Sequence, residues 1–205
     1  MPTLKDVARE AGVTVTTVSR VLNNRGYISD ETRDKVYQAM EKLDYQPNEI
    51  ARSLSRKKSN IIGLIIPTVS HDFFGELSLY LENYAYELGY KVMLCNSRLE
   101  SQKEQEYISM LRGHQVDGIV LASHTMDVEE FVGLDLPVVT LDREINDFPY
   151  VSSDNYHGGT LGTNLLINRG CRRLAYLGGN LQLDLLTNRR YQAFVNTAEG
   201  RDVEH

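Results

Sequence analysis

The run Ile61-Ile62-Gly63-Leu64-Ile65-Ile66 contains no polar side chain. A strand with one wet face alternates polar and apolar residues, so an unbroken run predicts a strand covered on both faces, as in the middle of a parallel sheet. The stretch that follows repeats the theme. Leu77, Leu81, Tyr84 and Leu88 mark one face of a helix expected to end at Gly89. Residues 91–96 predict a second strand. Ser101-x-x-Glu104 has the spacing of a capping box and opens a helix through Arg112, with Tyr107, Ile108 and Leu111 inward. Residues 118–122, 137–142 and 150–153 predict further strands, 155–169 a helix, and 173–178 a strand leaving it. Strands alternating with helices predict an α/β body with a parallel sheet and helices on both faces. Ligands of such sheets lie outside the carboxyl ends of the strands, here 67–74, 96–98, 142–143 and 153–155.

Ahead of this body lies a segment of different character. Residues 1–58 carry 11 Lys/Arg against 8 Asp/Glu, whereas the remaining 147 carry 11 against 20. A mildly basic head on an acidic body fits a nucleic-acid-binding module joined to something else, although a solvated surface accounts for +3 as well. Arg56-Lys57-Lys58 is either a plain linker or a phosphate contact.

The head divides into three short helices. Thr3 caps the first, which carries Leu4, Val7, Ala8 and Ala11 on one face. Ala11-Gly12-Val13 makes a tight turn. A second helix, 15–23, buries Val18, Val21 and Leu22. Ser29 caps a third, with Asp30 and Glu31 in its first turn and Val36, Ala39, Met40 and Leu43 inward. Two short helices joined by a Gly-containing turn make a helix-turn-helix pattern. Val15, Thr16, Thr17 and Arg20 are left outward at the start of the second helix: short groups and one long guanidinium, which suits a major groove.

The segments Thr3-Leu4-Lys5-Asp6-Val7-Ala8 and Ala11-Gly12-Val13-Thr14-Val15-Thr16-Thr17-Val18-Ser19-Arg20-Val21-Leu22-Asn23 resemble the head of lactose-repressor (LacI/GalR) family transcriptional regulators. Tyr45-Gln46-Pro47-Asn48 followed by Ala51-Arg52-Ser53-Leu54 is similar to that family's hinge. The resemblance implies that Val15, Thr16 and Arg20 read bases and that Thr17, Ser19 and Asn23 hold phosphates. Thr3, Asn48 and Ala51 join the implied DNA-binding set. It also implies a hinge helix over 48–55 that orders on operator DNA beside its twin in a homodimer and wedges Leu54 into the minor groove. A helix this short is marginal alone in water, and an apolar wedge between base steps kinks the duplex. Read without the resemblance, Leu54 is a satellite core residue.

The resemblance continues into the body, where the family's effector domain is similar to periplasmic sugar-binding proteins. It implies that Phe73 and Phe74 stack on a small sugar effector and that Asp142 and Arg190 contact its hydroxyls. Core packing explains the two phenylalanines equally well from the residues alone. Asn48-Glu49-Ile50-Ala51-Arg52-Ser53-Leu54 and Val139-Thr140-Leu141-Asp142-Arg143 look most like ribose-operon repressors, whereas Cys95-Asn96-Ser97, Gln115-Val116-Asp117-Gly118-Ile119 and Ser152-Ser153-Asp154-Asn155-Tyr156 look equally like sucrose-operon repressors. The expected domains are a head over 1–46, hinge and linker over 47–59, a first effector subdomain over 60–155, and a crossover with the start of a second subdomain over 156–205. Family members continue through a complete second subdomain, so the end at His205 is read as that of a fragment, a truncated product or one part of a longer protein.

Other chemistries find little support. His157-Gly158-Gly159-Thr160-Leu161-Gly162 nearly matches a dinucleotide-binding turn, but His157 replaces its first glycine, and close helix packing is the alternative. His71-Asp72 belongs to no hydrolase or metalloprotease motif, and Cys95 and Cys171 have no metal-ligand spacing. Neither a signal peptide nor an apolar run long enough to cross a membrane is found. The expectation is a cytoplasmic dimeric repressor without cofactor, metal or catalytic residues, which binds palindromic operator DNA and is released by a ribose- or sucrose-type sugar. The alternative is a sugar-sensing module whose head does not bind DNA.

Overall fold

The computed structural model describes residues 2–47, 52–53, 58–123, 135–145, 148–182 and 185–205. They form two compact units, Met1–Ser59 and Asn60–His205.

The first unit contains α1 (Leu4–Glu10), α2 (Val15–Leu22) and α3 (Asp30–Lys42). Each begins at a hydroxyl-bearing cap, Thr3, Thr14 and Ser29, whose side chain accepts a backbone N–H three residues on. Gly12 takes φ +67° in the turn between α1 and α2, a conformation costly for any residue with a Cβ. The inward faces meet in a core of Val7, Ala8, Val18, Val21, Val36 and Ala39, against which Leu4, Leu22, Met40 and Leu43 pack. Val7, Val18 and Val36 are fully buried, each stabilising by roughly 1.5–3 kcal/mol relative to exposure. The expected helical faces are therefore the ones buried.

The second unit is built on a five-stranded sheet of order β2-β1-β3-β4-β5, parallel throughout. Its strands are β1 (Ile61–Ile66), β2 (Lys91–Asn96), β3 (Gly118–Leu121), β4 (Val138–Leu141) and β5 (Tyr150–Val151). Leu64 and Ile66 point to one face, where Ala122 joins them and Phe74, Leu77 and Leu81 of α4 (Asp72–Glu87) pack. Ile65 points to the other, into a cluster with Cys95, Ile119, Leu121 and Ile108 and Leu111 of α5 (Ser101–Gly113). The apolar run at 61–66 thus has a helix over each face, as its composition requires.

Three local expectations fail. Tyr84 and Leu88 face outward at 69% and 66% exposure, while Ala85 takes the inward position on α4. The Ser101-x-x-Glu104 pair forms no capping box. Glu100 is the N-cap of α5 without a side-chain bond, and the fully buried Glu104 carboxylate accepts from the Ser123 hydroxyl instead. Residues 173–178 make no strand, because a strand needs a ladder partner and the only pairing found there, among the described residues, is an isolated bridge between Arg173 and Glu204.

The chain ends in α6 (Asn155–Asn168), a 3₁₀ turn (Leu186–Asn188) and α7 (Arg189–Glu199). A Cβ on Gly159 of α6 would stand 2.7 Å from the Arg190 carbonyl oxygen and 2.9 Å from Ala193 Cβ. Close helix packing therefore accounts for Gly159, whereas a Cβ on Gly158 or Gly162 would meet open space.

Candidate nucleic-acid interface and ligand site

α2 differs from its two neighbours in charge. Asp6 stands in the first turn of α1, and Asp30 and Glu31 in that of α3, whereas α2 has no acid there. Thr14 caps one of its N-terminal N–H groups, but no carboxylate offsets the partial positive charge there, which leaves the terminus suited to an anion. With Val18 and Val21 buried, Val15, Thr16 and Arg20 remain exposed.

The flanking polar residues are already engaged. Thr17 is half-buried, with its hydroxyl 2.9 Å from that of Thr14. Asn23 caps the C-terminus of α2, donating to the Ser19 carbonyl at 2.9 Å and to its hydroxyl at 3.4 Å. Thr3 and Asp6 close a reciprocal capping box at α1. Hydrogen bonds from Thr3 first, and the Arg9 charge after them, hold the Asp6 carboxyl below its usual range.

The cations also sort into two groups. Arg9, Lys35 and Lys42 pair with Asp6, Glu31 and Glu10, and Arg33 donates to Asn24. Lys5, Arg20 and Arg25 have no ion pair among the described residues. Arg52, which no motif singled out for an internal role, donates to the Leu22 carbonyl at the end of α2 at 2.9 Å. Asn48, Ala51 and Leu54 lie outside the described residues, and with them most of the expected hinge helix.

In the second unit the expected ligand residues stand at the carboxyl end of the sheet. Asp142 follows β4 with φ +52°. Its carboxylate accepts from the Ser152 hydroxyl at 2.7 Å, and Ser152 accepts from Asn155 Nδ2 at 3.2 Å. Asn155, at the start of α6 and 4% exposed, also accepts from Arg190 Nε at 2.6 Å through its own Oδ1. Asp142 and Arg190 are therefore joined by a chain through Ser152 and Asn155, which the sequence placed in a repressor-like segment at a strand end without giving either a ligand-contacting role. The signal available was their place at the end of β5 and the first position of the next helix.

The two phenylalanines separate. Phe74 is partly buried in the core cluster that also holds Leu141, whereas Phe73 is half exposed and meets Phe74 edge-on at 5.1 Å. Neither makes a hydrogen bond or ring contact with the Asp142–Arg190 chain among the described residues. A cavity of about 490 Å³ adjoins the chain, lined by Asn155, Gly159, Tyr176, Arg190 and Phe194 among others, but not by Phe73, Phe74 or Asp142.

The arrangement offers polar groups for orienting hydroxyls and no reactive nucleophile at its centre. Burial pushes the Cys95 thiol up to about 11, so it stays protonated at neutral pH. Among the described residues no cluster of His, Cys, Asp and Glu could hold a metal ion, and no helix is long and apolar enough to cross a membrane.

Residues 3–48 match the model of the family described as bacterial regulatory proteins, lacI family, and residues 59–204 that of periplasmic binding proteins and sugar binding domain of LacI family. A sucrose operon repressor of Pediococcus pentosaceus is 45% identical over 202 residues, 97% of this chain and 62% of that protein. A ribose operon repressor of Halalkalibacterium halodurans is 41% identical over 204 residues, 99% of this chain and 61% of that protein. Among solved structures, the lac repressor dimer bound to operator and the anti-inducer ONPF superposes with a TM-score of 0.85 at 25% identity, covering 99% of this chain and 63% of that one. The chain spans about six-tenths of the length of the curated relatives it matches.

Proposed function

This chain belongs to the LacI family of bacterial regulatory proteins, and from that premise we propose that it is a sequence-specific DNA-binding repressor of a sugar-utilisation operon. The observation that carries the reading is α2. It is held by a buried core, free of acid in its first turn, and presents Val15, Thr16 and Arg20 outward within the segment that matches the family's DNA-binding head. In this reading those three side chains read bases in the major groove. Thr3, Thr17, Ser19, Asn23, Asn48 and Ala51 hold the backbone, and Leu54 wedges into the minor groove. The internal bonds of Thr17, Ser19 and Asn23 support a holding role, since a group already oriented loses little freedom on meeting a phosphate.

The effector is a small sugar of ribose or sucrose type, in keeping with the ribose and sucrose operon repressors among the relatives. Asp142 and Arg190, pre-oriented by Ser152 and Asn155, bind its hydroxyls, with Phe73 and Phe74 against its apolar face. The half-exposed Phe73 fits stacking better than the core-packed Phe74 does. The domains divide as 1–46, 47–59, 60–155 and 156–205, the protein acts as a homodimer on a palindromic operator, and it works in the cytoplasm without cofactor or catalytic step. Sugar and operator are coupled reciprocally: each weakens the other's binding by one common factor.

The test is a mobility-shift titration of the chain on a palindromic operator near its gene, across a salt series, with and without ribose or sucrose. Sequence-specific, salt-sensitive binding supports the repressor reading. Sugar binding without any DNA preference would support a sensing module instead.

A further inference from the structure

The end of α2 is closed in a way that fixes one residue at two points. Asn24 takes φ +49°, its N–H donates to the Val21 carbonyl at 3.1 Å, and the next N–H, that of Arg25, reaches back to the Arg20 carbonyl at 3.0 Å. This paired arrangement is the Schellman closure of a helix, and it ties the following loop to the backbone of Arg20. Gly26 comes next, with φ +72°. A Cβ built on Gly26 would stand 2.6 Å from Arg20 Nη2, 3.4 Å from its Cζ and 3.5 Å from its Nε.

The guanidinium of Arg20 therefore lies along its edge in the space that any side chain at position 26 would occupy. Left-handed φ alone explains why glycine is favoured at 26, but asparagine also adopts that region. The space taken by Arg20 is a separate requirement, which asparagine fails. Arg20 is exposed and long, so displacing its tip costs the fold little. What changes is where the guanidinium points. Two parallel hydrogen bonds to a base edge need that plane held in a narrow range of angles.

We propose that Gly26 is a positioning residue for Arg20: its bare backbone is the shelf on which the guanidinium rests, so the base preference conferred by Arg20 depends on glycine at 26. The inference rests on the base-reading role of Arg20 given above and adds a residue that acts through Arg20.

The experiment is a double-mutant cycle on the full chain. Operator affinity is compared with affinity for operators altered at single positions, for the parent, Gly26→Asn, Gly26→Ala, Arg20→Ala and both double variants. The parent should show a preference of about 5- to 150-fold at the base Arg20 reads, the span of one bidentate pair. Gly26→Asn and Gly26→Ala should reduce it most of the way to the Arg20→Ala value, and in the Arg20→Ala background they should change it no further. Thermal melting separates this from misfolding, with Gly26→Asn, which keeps the left-handed turn, staying closest to the parent.

A second readout needs no variant. The NMR order parameter at Nε of Arg20 in the DNA-free parent should exceed that of Arg25. Equal order parameters, or Gly26 effects that are the same with and without Arg20, would overturn the role of Gly26 while leaving Arg20 a base reader. If Arg20→Ala alters no base preference, the reading of Arg20 fails and takes this inference with it.

Discussion

The two candidate sites are built in opposite ways. The proposed DNA-facing surface of the head is one short helix whose outward side chains Val15, Thr16 and Arg20 lie within six residues of each other and are held in place by the core behind them. The candidate ligand site of the body is a chain of hydrogen bonds in which Asp142, Ser152, Asn155 and Arg190 come from three separate stretches of sequence and satisfy one another. The difference matches the tasks. A surface that reads a groove needs groups left open to a partner and a scaffold independent of them. A site for a small polyol needs polar groups aimed before the ligand arrives, so that little ordering remains for binding. Damage to the first should appear in binding and not in stability, whereas damage to the second should appear in both.

The largest effect tests whether the two regions stand on separate cores. Leu111 is fully buried between α5 and the sheet, and Leu111→Ala should destabilise the body by roughly 2–5 kcal/mol. Circular dichroism melts should show the body transition moving down while that of the head stays. A joint shift of both would mean that the cores are not independent.

Arg20→Ala and Asn155→Ala make the sharpest pair. Arg20→Ala should cost roughly 1–3 kcal/mol of operator binding, confined to one operator position, and leave melting within about 0.5 kcal/mol. Equal losses on all duplexes would make Arg20 a phosphate contact. Asn155→Ala removes the junction of the hydrogen-bond chain. It should cost about 1–3 kcal/mol of stability, because buried partners are left unsatisfied, and weaken sugar binding measured by calorimetry. Unchanged sugar affinity would place the ligand elsewhere.

Smaller effects sit at the helix caps of the head. Thr3→Ala should lower the head's stability by about 0.5–2 kcal/mol through the lost cap of α1. The same bond carries a pH signature. Asp6 titrates lower when folded than when unfolded, chiefly through Thr3. Its contribution is therefore complete above the ordinary carboxylate range and disappears as pH falls through the depressed folded value. The difference in melting between the parent and Asp6→Asn should shrink as the solution is acidified, and a difference independent of pH would contradict the assignment.

How much could be read beforehand follows the same division. Thr3, Ser29 and the buried faces of α1, α2 and α3 were legible because caps and helical periodicity act within a few residues. The strand at 61–66 was legible because composition alone demanded two covered faces. Glu104 was misread, since a local capping rule had to compete with Ser123, nineteen residues on, for its carboxylate. Tyr84 and Leu88 were misread because apolar character does not say which side of a helix meets the sheet. The link from Asp142 to Arg190 was invisible: it passes through Asn155, whose partner lies thirty-five residues away. Gly26 belonged to no motif, and its closeness to Arg20 needed coordinates.

The most direct test of the central claim is selection of the 205-residue chain on a library of randomised DNA duplexes, run in parallel with its Arg20→Ala variant. The parent should enrich a palindromic consensus, and the variant should enrich the same half-sites but lose its preference at one symmetry-related pair of positions. Enrichment of no consensus, or of an identical one by both proteins, would contradict that claim.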